Sequence, residues 1–150
     1  MSYKTIREMI TVNNKKELKR LIYQRTVEQG LNCNLNDIDV SKIDDMSFLF
    51  TDSKFNGDIS SWDVSKVKDM SFMFEGSSFN GDISSWNVSS VTNMSYMFSW
   101  SKFNGDISSW DVSNVEEMGD MFMGSSFSGD ISKWDVSSVV YMRYMFDNSP

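Results

Sequence analysis

Phe55 to Ser78 reads FNGDISSWDVSKVKDMSFMFEGSS, and the blocks 79–102, 103–126 and 127–150 repeat it nearly letter for letter at a period of 24 residues. A fixed period in the twenties marks a repeat architecture, in which one unit cannot bury its own apolar face and relies on its neighbours. Aligning the copies gives identical columns: Phe55, Phe79, Phe103 and Phe127; Ile59, Ile83, Ile107 and Ile131; Trp62, Trp86, Trp110 and Trp134; Val64, Val88, Val112 and Val136. Further columns follow at Val67, Met70, Met73 and Phe74. If equivalent residues of successive units stack, each buried Trp or Phe removes on the order of 150 to 250 Å² from water, so the aromatic columns dominate stability.

Within a unit the spacing Ile59-x-x-Trp62-x-Val64 follows the L-x-x-L-x-L pattern of a leucine-rich repeat. Trp62-Asp63-Val64 reads as a short strand with Asp63 outward. Ser65 then suits a cap, and Val67, Met70, Met73 and Phe74 recur at spacings of three and four, as in a short α or 3-10 segment. Asn56-Gly57 reads as a corner needing positive φ. The expected fold class is therefore α/β: a leucine-rich-repeat-like solenoid of five 24-residue coils, each a short parallel strand plus a short α or 3-10 helix.

The expected domains are a cap over 1–30 and a repeat body over 31–150, divided 31–54, 55–78, 79–102, 103–126 and 127–150. Leu31 to Lys54 is the diverged first copy, with Leu35 in the place of Ile59, Ile38 in that of Trp62 and Cys33 in that of Gly57. Tyr3 to Val12 fits either a strand or an irregular lead-in. Asn14 with Glu17 three residues later forms a capping box, Leu18, Leu21, Ile22 and Val27 approximate one apolar face, and Gly30 suits the stop. These predict an amphipathic helix over 15–28 that closes the first coil.

Composition excludes several chemistries. The 150 residues contain no His and one Cys, Cys33, which removes the commonest general base, an internal disulfide and a cysteine zinc site. The twelve Met and five Trp fall on repeat columns and read as core. Residues 1–30 carry net +4 and residues 31–150 net −11, which together give −7. An acidic body argues against direct nucleic-acid binding, and no apolar run reaches membrane-spanning length.

The motif F-N-G-D-I-S-x-W-D-V-S-x-V-x-x-M-x-x-M-F, carried by residues 55–74, 79–98, 103–122 and 127–146, resembles the BspA-like leucine-rich-repeat family of bacterial surface proteins, also found in some viral and protist chains. The resemblance implies surface display, adhesion or protein binding, with no catalytic residues to carry over. The N-terminus MSYKTIREMITVNNKK has no apolar run with a small-residue cleavage site, so the sequence as it stands reads as cytoplasmic, whereas the resemblance implies a cell surface.

Two acidic columns stand out: Asp39, Asp63, Asn87, Asp111 and Asp135, and Asp58, Asp82, Asp106 and Asp130. A stripe for a cation or basic partner is one reading. Turn stabilisation by carboxylates accepting from nearby backbone is the favoured one, since Asn87 serves it equally. No metal, cofactor or catalytic residue is expected. Copies disagree at Trp100, Met123, Val140, Tyr141 and Tyr144, residue types that dominate binding contacts. Trp134, Val136, Val139, Met142 and Phe146 would face the open end of the last coil and suit self-association through a two-fold interface.

The leading expectation is a non-enzymatic protein-binding module with an unidentified protein partner, acting through its strand face or its variant C-terminal flank. An intracellular inhibitor that blocks an enzyme or nucleic-acid-binding complex with its acidic body, as a phage anti-defence or immunity protein would, is the alternative. A segment of a longer surface array is the third.

Overall fold

A computed structural model describes residues 8–150. The part of the lead-in at 3–7 lies outside the described residues. Ile10–Thr11 forms a strand, β1, that pairs in parallel with β2, Ile38–Asp39, in the register Ile10 with Ile38. Between them runs helix α1, Lys15–Gln29.

The helix starts where the polar signal places it. Asn14 Oδ1 accepts from the Glu17 N–H at 3.0 Å, while Glu17 Oε2 reaches back to the Asn13 N–H at 2.8 Å. Gly30 ends it at φ 88. Leu18 and Ile22 are buried, but Val27, expected on the same face, is 68% exposed. Polar anchors tie the helix to the first repeat: Arg25 Nη2 meets Asp37 Oδ2 at 2.8 Å, and Lys15 Nζ meets Asp45 Oδ1 at 3.0 Å.

The expected α/β solenoid with a strand and a helix in every coil is overturned. Regular structure among the described residues consists of α1 and the two-stranded sheet. From residue 40 onward the repeats are chains of turns, joined by isolated parallel bridges at Asp45–Asp69, Asp69–Asn93, Asn93–Glu117 and Glu117–Tyr141. Two local forces defeat the expected elements. Asp or Asn followed two residues later by Ser binds its own backbone, which offers an alternative to a strand ladder. The predicted helical segment is interrupted by positive φ at Phe72 (57°) and Gly76 (62°), repeated at Tyr96 and Trp100 and at Asp120 and Gly124. A residue in this region cannot continue a right-handed helix. It suits the third position of a turn, and the Met73 N–H indeed closes onto Met70 O and the Ser77 N–H onto Phe74 O.

Neighbouring repeats join through these turns. The N–H groups of Met70, Phe72, Phe74 and Gly76 donate to the carbonyls of Asn93, Ser95, Met97 and Ser99 at 2.8 to 3.0 Å, and the pattern recurs one repeat on. Side chains 24 residues apart consequently lie on one another. Phe55–Phe79, Phe79–Phe103 and Phe103–Phe127 have ring centroids 6.3, 6.3 and 6.4 Å apart. Phe74–Phe98 and Phe98–Phe122 stand at 5.6 and 5.7 Å, and Phe74 also lies 4.5 Å from Phe79, so the two columns interleave.

The Asn-Gly corner differs from its expectation as well. Gly57, Gly81, Gly105 and Gly129 do not adopt positive φ. Each lies under the ring of the Phe two residues before it, where a Cβ would come within 2.7 to 2.9 Å of ring carbons. Glycine is required there by the close approach of the ring. Cys33, which occupies this position in the first repeat, is buried.

Candidate functional site

The acidic columns are held by their own loops. Asp63 Oδ1 accepts from the Ser65 N–H at 3.0 Å and the Ser65 hydroxyl at 2.6 Å. Asp111 does the same with Ser113, and Asn87 with Ser89. Asp39 and Asp135 accept from the Ser41 and Ser137 N–H groups at 3.0 Å. The serine hydroxyl, then its backbone N–H, holds Asp39, Asp63, Asp111 and Asp135 below the usual carboxylate range. Asp58, Asp82, Asp106 and Asp130 make the equivalent turn with Ser60, Ser84, Ser108 and Ser132. Sequence reading missed a third column: Asp45, Asp69 and Asn93 accept from Ser47, Ser71 and Ser95. Its signal was legible as the same Asp/Asn-x-Ser spacing.

Among the described residues no group of three or more His, Cys, Asp or Glu side chains could hold a metal ion. An open groove of about 340 Å³ runs between Asn32, Asn56, Gly57, Asp58, Ser60, Gly81 and Asp82. It lies over the Asx turns and adds no group of its own chemistry. No helix among the described residues is long and apolar enough to cross a membrane.

The positive-φ turns build a more distinctive surface. Phe48, Phe72, Tyr96, Asp120 and Tyr144 form one column of it, with φ of 54 to 59°; Asp52, Gly76, Trp100, Gly124 and Asn148 form the other, with φ of 54 to 62°. Phe48 stacks on Phe72 and Phe72 on Tyr96, with centroids 4.5 and 4.6 Å apart. The stack is partly open to water, with Phe48 48% exposed. Glu75, from the same turns, has its carboxyl pushed up by burial and by the Asp52 carboxylate.

The residues at which copies disagree lie along this surface and its last repeat. Trp100 is 57% exposed, Val140 83%, Tyr141 39% and Tyr144 57%, while Met123 is half-buried. Two of the aromatics are matched by glycine. The Trp100 ring lies over Gly124, where a Cβ would approach ring carbons at 2.6 to 2.8 Å, and the Tyr141 ring lies over Gly119. In the fifth repeat Val136, Met142 and Phe146 are 40, 40 and 49% exposed, against 1, 0 and 0% for Val112, Met118 and Phe122. Val139 is half-buried and Trp134 is buried, its indole N–H donating to Ile107 O at 3.1 Å. Asp120, which its chemistry would place in water, is buried instead.

A family described as "Mycoplasma protein of unknown function, DUF285" matches residues 16–126 and again 79–150. The chain belongs to this family. The overlapping matches are what a tandem repeat produces, since 79–126 can be read in either frame of copies. No curated protein and no solved structure matches this member of the family.

Proposed function

We propose that this chain is a non-enzymatic protein-binding module that meets its partner on the turn face around Trp100. The observation that carries the reading is Trp100 itself, an aromatic side chain held at φ 54° and 57% exposed. Such a backbone costs a non-glycine residue roughly 1 to 2 kcal/mol, and the repeats on either side carry glycine at the same place. Strain kept at an exposed aromatic favours a role in contact. Met123, Val140, Tyr141 and Tyr144 extend the surface with the residue types that carry binding energy. The finer likeness of the repeat motif to BspA-like surface proteins supports adhesion or protein binding at a cell surface.

A photo-crosslinking residue at position 100, compared with one at position 63, tests the reading. The expected adduct forms at 100 and is competed by unlabelled chain but not by a Trp100→Ala chain. Equal adducts at both positions would refute it.

The acidic-inhibitor reading draws support from the exposed Asp63, Asp111 and Asp135, whose lowered values keep them charged. Under that reading nucleic acid competes with the chain for its target.

A further inference from the structure

Helix α1 leaves one face without a partner. Leu18 and Ile22 are buried against the body, and Lys16, Arg20, Tyr23 and Val27, spaced by four, three and four, form the opposite stripe. Tyr23 is 71% exposed and Val27 68%, so this stripe carries bare apolar surface between its basic groups. Lys16, Lys19 and Arg20 are exposed and make no ion pair among the described residues, whereas Lys15 and Arg25 are both paired.

The repeat body offers the opposite pattern. Asp58, Asp82, Asp106 and Asp130 form an unbroken exposed column. In Asp82, Asp106 and Asp130 the turn uses Oδ1, and Oδ2 takes no bond among the described residues. The serine bonds hold Asp82 and Asp106 below the usual carboxylate range, so both stay charged. Beside the column, the open groove of about 340 Å³ between Asp58 and Asp82 is lined by Gly57 and Gly81, which put no side chain into it.

We propose that a second copy of this chain lays its helix α1 along this column, with its Tyr23 ring in the groove. The two patches match in charge: residues 1–30 carry net +4 and residues 31–150 net −11. They also match in pitch. A helix rises about 1.5 Å per residue, so along its axis Arg20 lies about 4.5 Å and Lys16 about 10.5 Å from Tyr23. Successive repeats stand 6.3 Å apart at Phe55–Phe79 and Phe79–Phe103, next to the column. From a point midway between Asp58 and Asp82, the stacking therefore puts Asp82 about 3 Å and Asp106 about 9.5 Å away. Tyr23 in the groove brings Arg20 level with Asp82 and Lys16 level with Asp106. At about 0.1 M salt the screening length is about 10 Å, so the net charge of −7 acts weakly between whole bodies while groups in contact still attract. This contact lies apart from the Trp100 surface and goes beyond the protein-binding reading.

The test places a photo-crosslinking residue at position 23 of the full chain and mixes it with isotope-labelled parent chain, so that adducts between copies are told from those within one. The expected adduct joins position 23 to the segment 56–60 or 81–82 of the labelled copy, located by mass spectrometry. Its yield falls at least about tenfold in about 1 M salt, where the screening length is about 3 Å. Lys16→Glu with Arg20→Glu on the crosslinking chain removes it. Asp82→Asn with Asp106→Asn, which keeps both turns, removes it when carried by the labelled chain but not when carried by the crosslinking chain. Trp100→Ala leaves it unchanged. No adduct between copies at high concentration, an adduct mapped elsewhere, or one indifferent to salt or to Asp82→Asn with Asp106→Asn on the labelled chain overturns the proposal. A chain that forms no such adduct but crosslinks through position 23 to polyglutamate or to phosphatidylserine vesicles overturns the second copy as the occupant. Association that persists at high salt belongs to another surface, such as the exposed side of the fifth repeat.

Discussion

The indole N–H of Trp86 donates to the carbonyl of Ile59, 27 residues upstream, at 3.1 Å. Trp62, Trp110 and Trp134 make the same bond to Leu35, Ile83 and Ile107. Each indole thus adds a second donor to a carbonyl of the preceding repeat, which already takes a backbone N–H three residues on, while its ring fills the core, and a Trp there joins two repeats by a bond that another large apolar residue lacks.

Trp86→Phe separates these two contributions. It retains much of the ring but removes the indole bond, while Ile59 O keeps the Trp62 N–H at 3.2 Å, so the cost is about 0.5 to 1.5 kcal/mol. Trp86→Ala adds a cavity and costs about 3 to 5 kcal/mol. Urea unfolding of both variants, followed by far-UV circular dichroism, measures the difference. A Trp86→Phe protein as stable as the parent would show that the indole bond contributes nothing.

The Asx turns give stability an acid limb. Asp82 and Asp106 are held below the usual range by the hydroxyls, then the N–H groups, of Ser84 and Ser108. The unfolded chain lacks these bonds and titrates near 3.9, so their contribution is complete above about pH 4 and is lost as the pH falls through the lower folded values. Asp82→Asn keeps the acceptor, as Asn87 does naturally, and is expected to lessen the acid loss while leaving neutral stability nearly unchanged. Asp82→Ala loses the turn at every pH. Melting temperatures between pH 2 and 7 distinguish the two.

Glu75 behaves in the opposite sense. Burial and then the Asp52 charge raise its folded value, so the ionised form opposes folding, fully above that raised value and not at all once both states are protonated. Glu75→Gln therefore stabilises at pH 7 and is neutral below about pH 4. Solvent screening keeps the gain small. A loss of stability at pH 7 would mean that the carboxylate has a favourable partner.

Trp100 and Gly124 are coupled across repeats. Gly124 has φ 61° and lies under the Trp100 ring, so Gly124→Ala meets both backbone strain and the ring, at an expected cost of about 2 kcal/mol or more. In a Trp100→Gly background the ring is gone and only the strain remains, so the same substitution is expected to cost about 1 kcal/mol. A double-mutant cycle in urea reads this coupling directly. Additive effects would place the ring elsewhere in solution.

The columns were legible because identical residues 24 apart have one physical use, and the ring stacks at Phe55, Phe74 and Trp62 follow from them. The turns were not. Positive φ at Phe72, Tyr96 and Trp100 has no compositional signal, since these residue types ordinarily avoid it, and the apolar spacing from Val67 to Phe74 imitates a helix. Asn-Gly misled in the other direction, because Gly57 is required by the close approach of the Cys33 carbonyl and the Phe55 ring rather than by φ. The Trp100–Gly124 and Tyr141–Gly119 matches required knowing which repeats touch through which atoms. The burial of Asp120 has no signal in the sequence, because a lone carboxylate ordinarily faces water.

The exposed Val136, Met142 and Phe146 of the fifth repeat lead to a last proposal, that two copies of the 150-residue chain pair through them. Met142, Tyr144, Phe146 and Asn148 have N–H groups without a backbone acceptor among the described residues, whereas Met118, Asp120, Phe122 and Gly124 each donate to the following repeat. In a two-fold contact these four donors face one another, so any pairing must be driven by Val136, Met142 and Phe146 rather than by a shared ladder. Met142→Lys with Phe146→Lys is then expected to abolish association in static light scattering at high concentration. Monomer stability should fall by about 1 to 2 kcal/mol with the chain still folded, since the Phe146 ring stacks on Phe122 with centroids 5.6 Å apart. Phe122→Lys, on the same column but fully buried, should unfold the chain. A parent chain that remains monomeric at high concentration excludes the pairing, and association that survives the double lysine variant moves it to another surface.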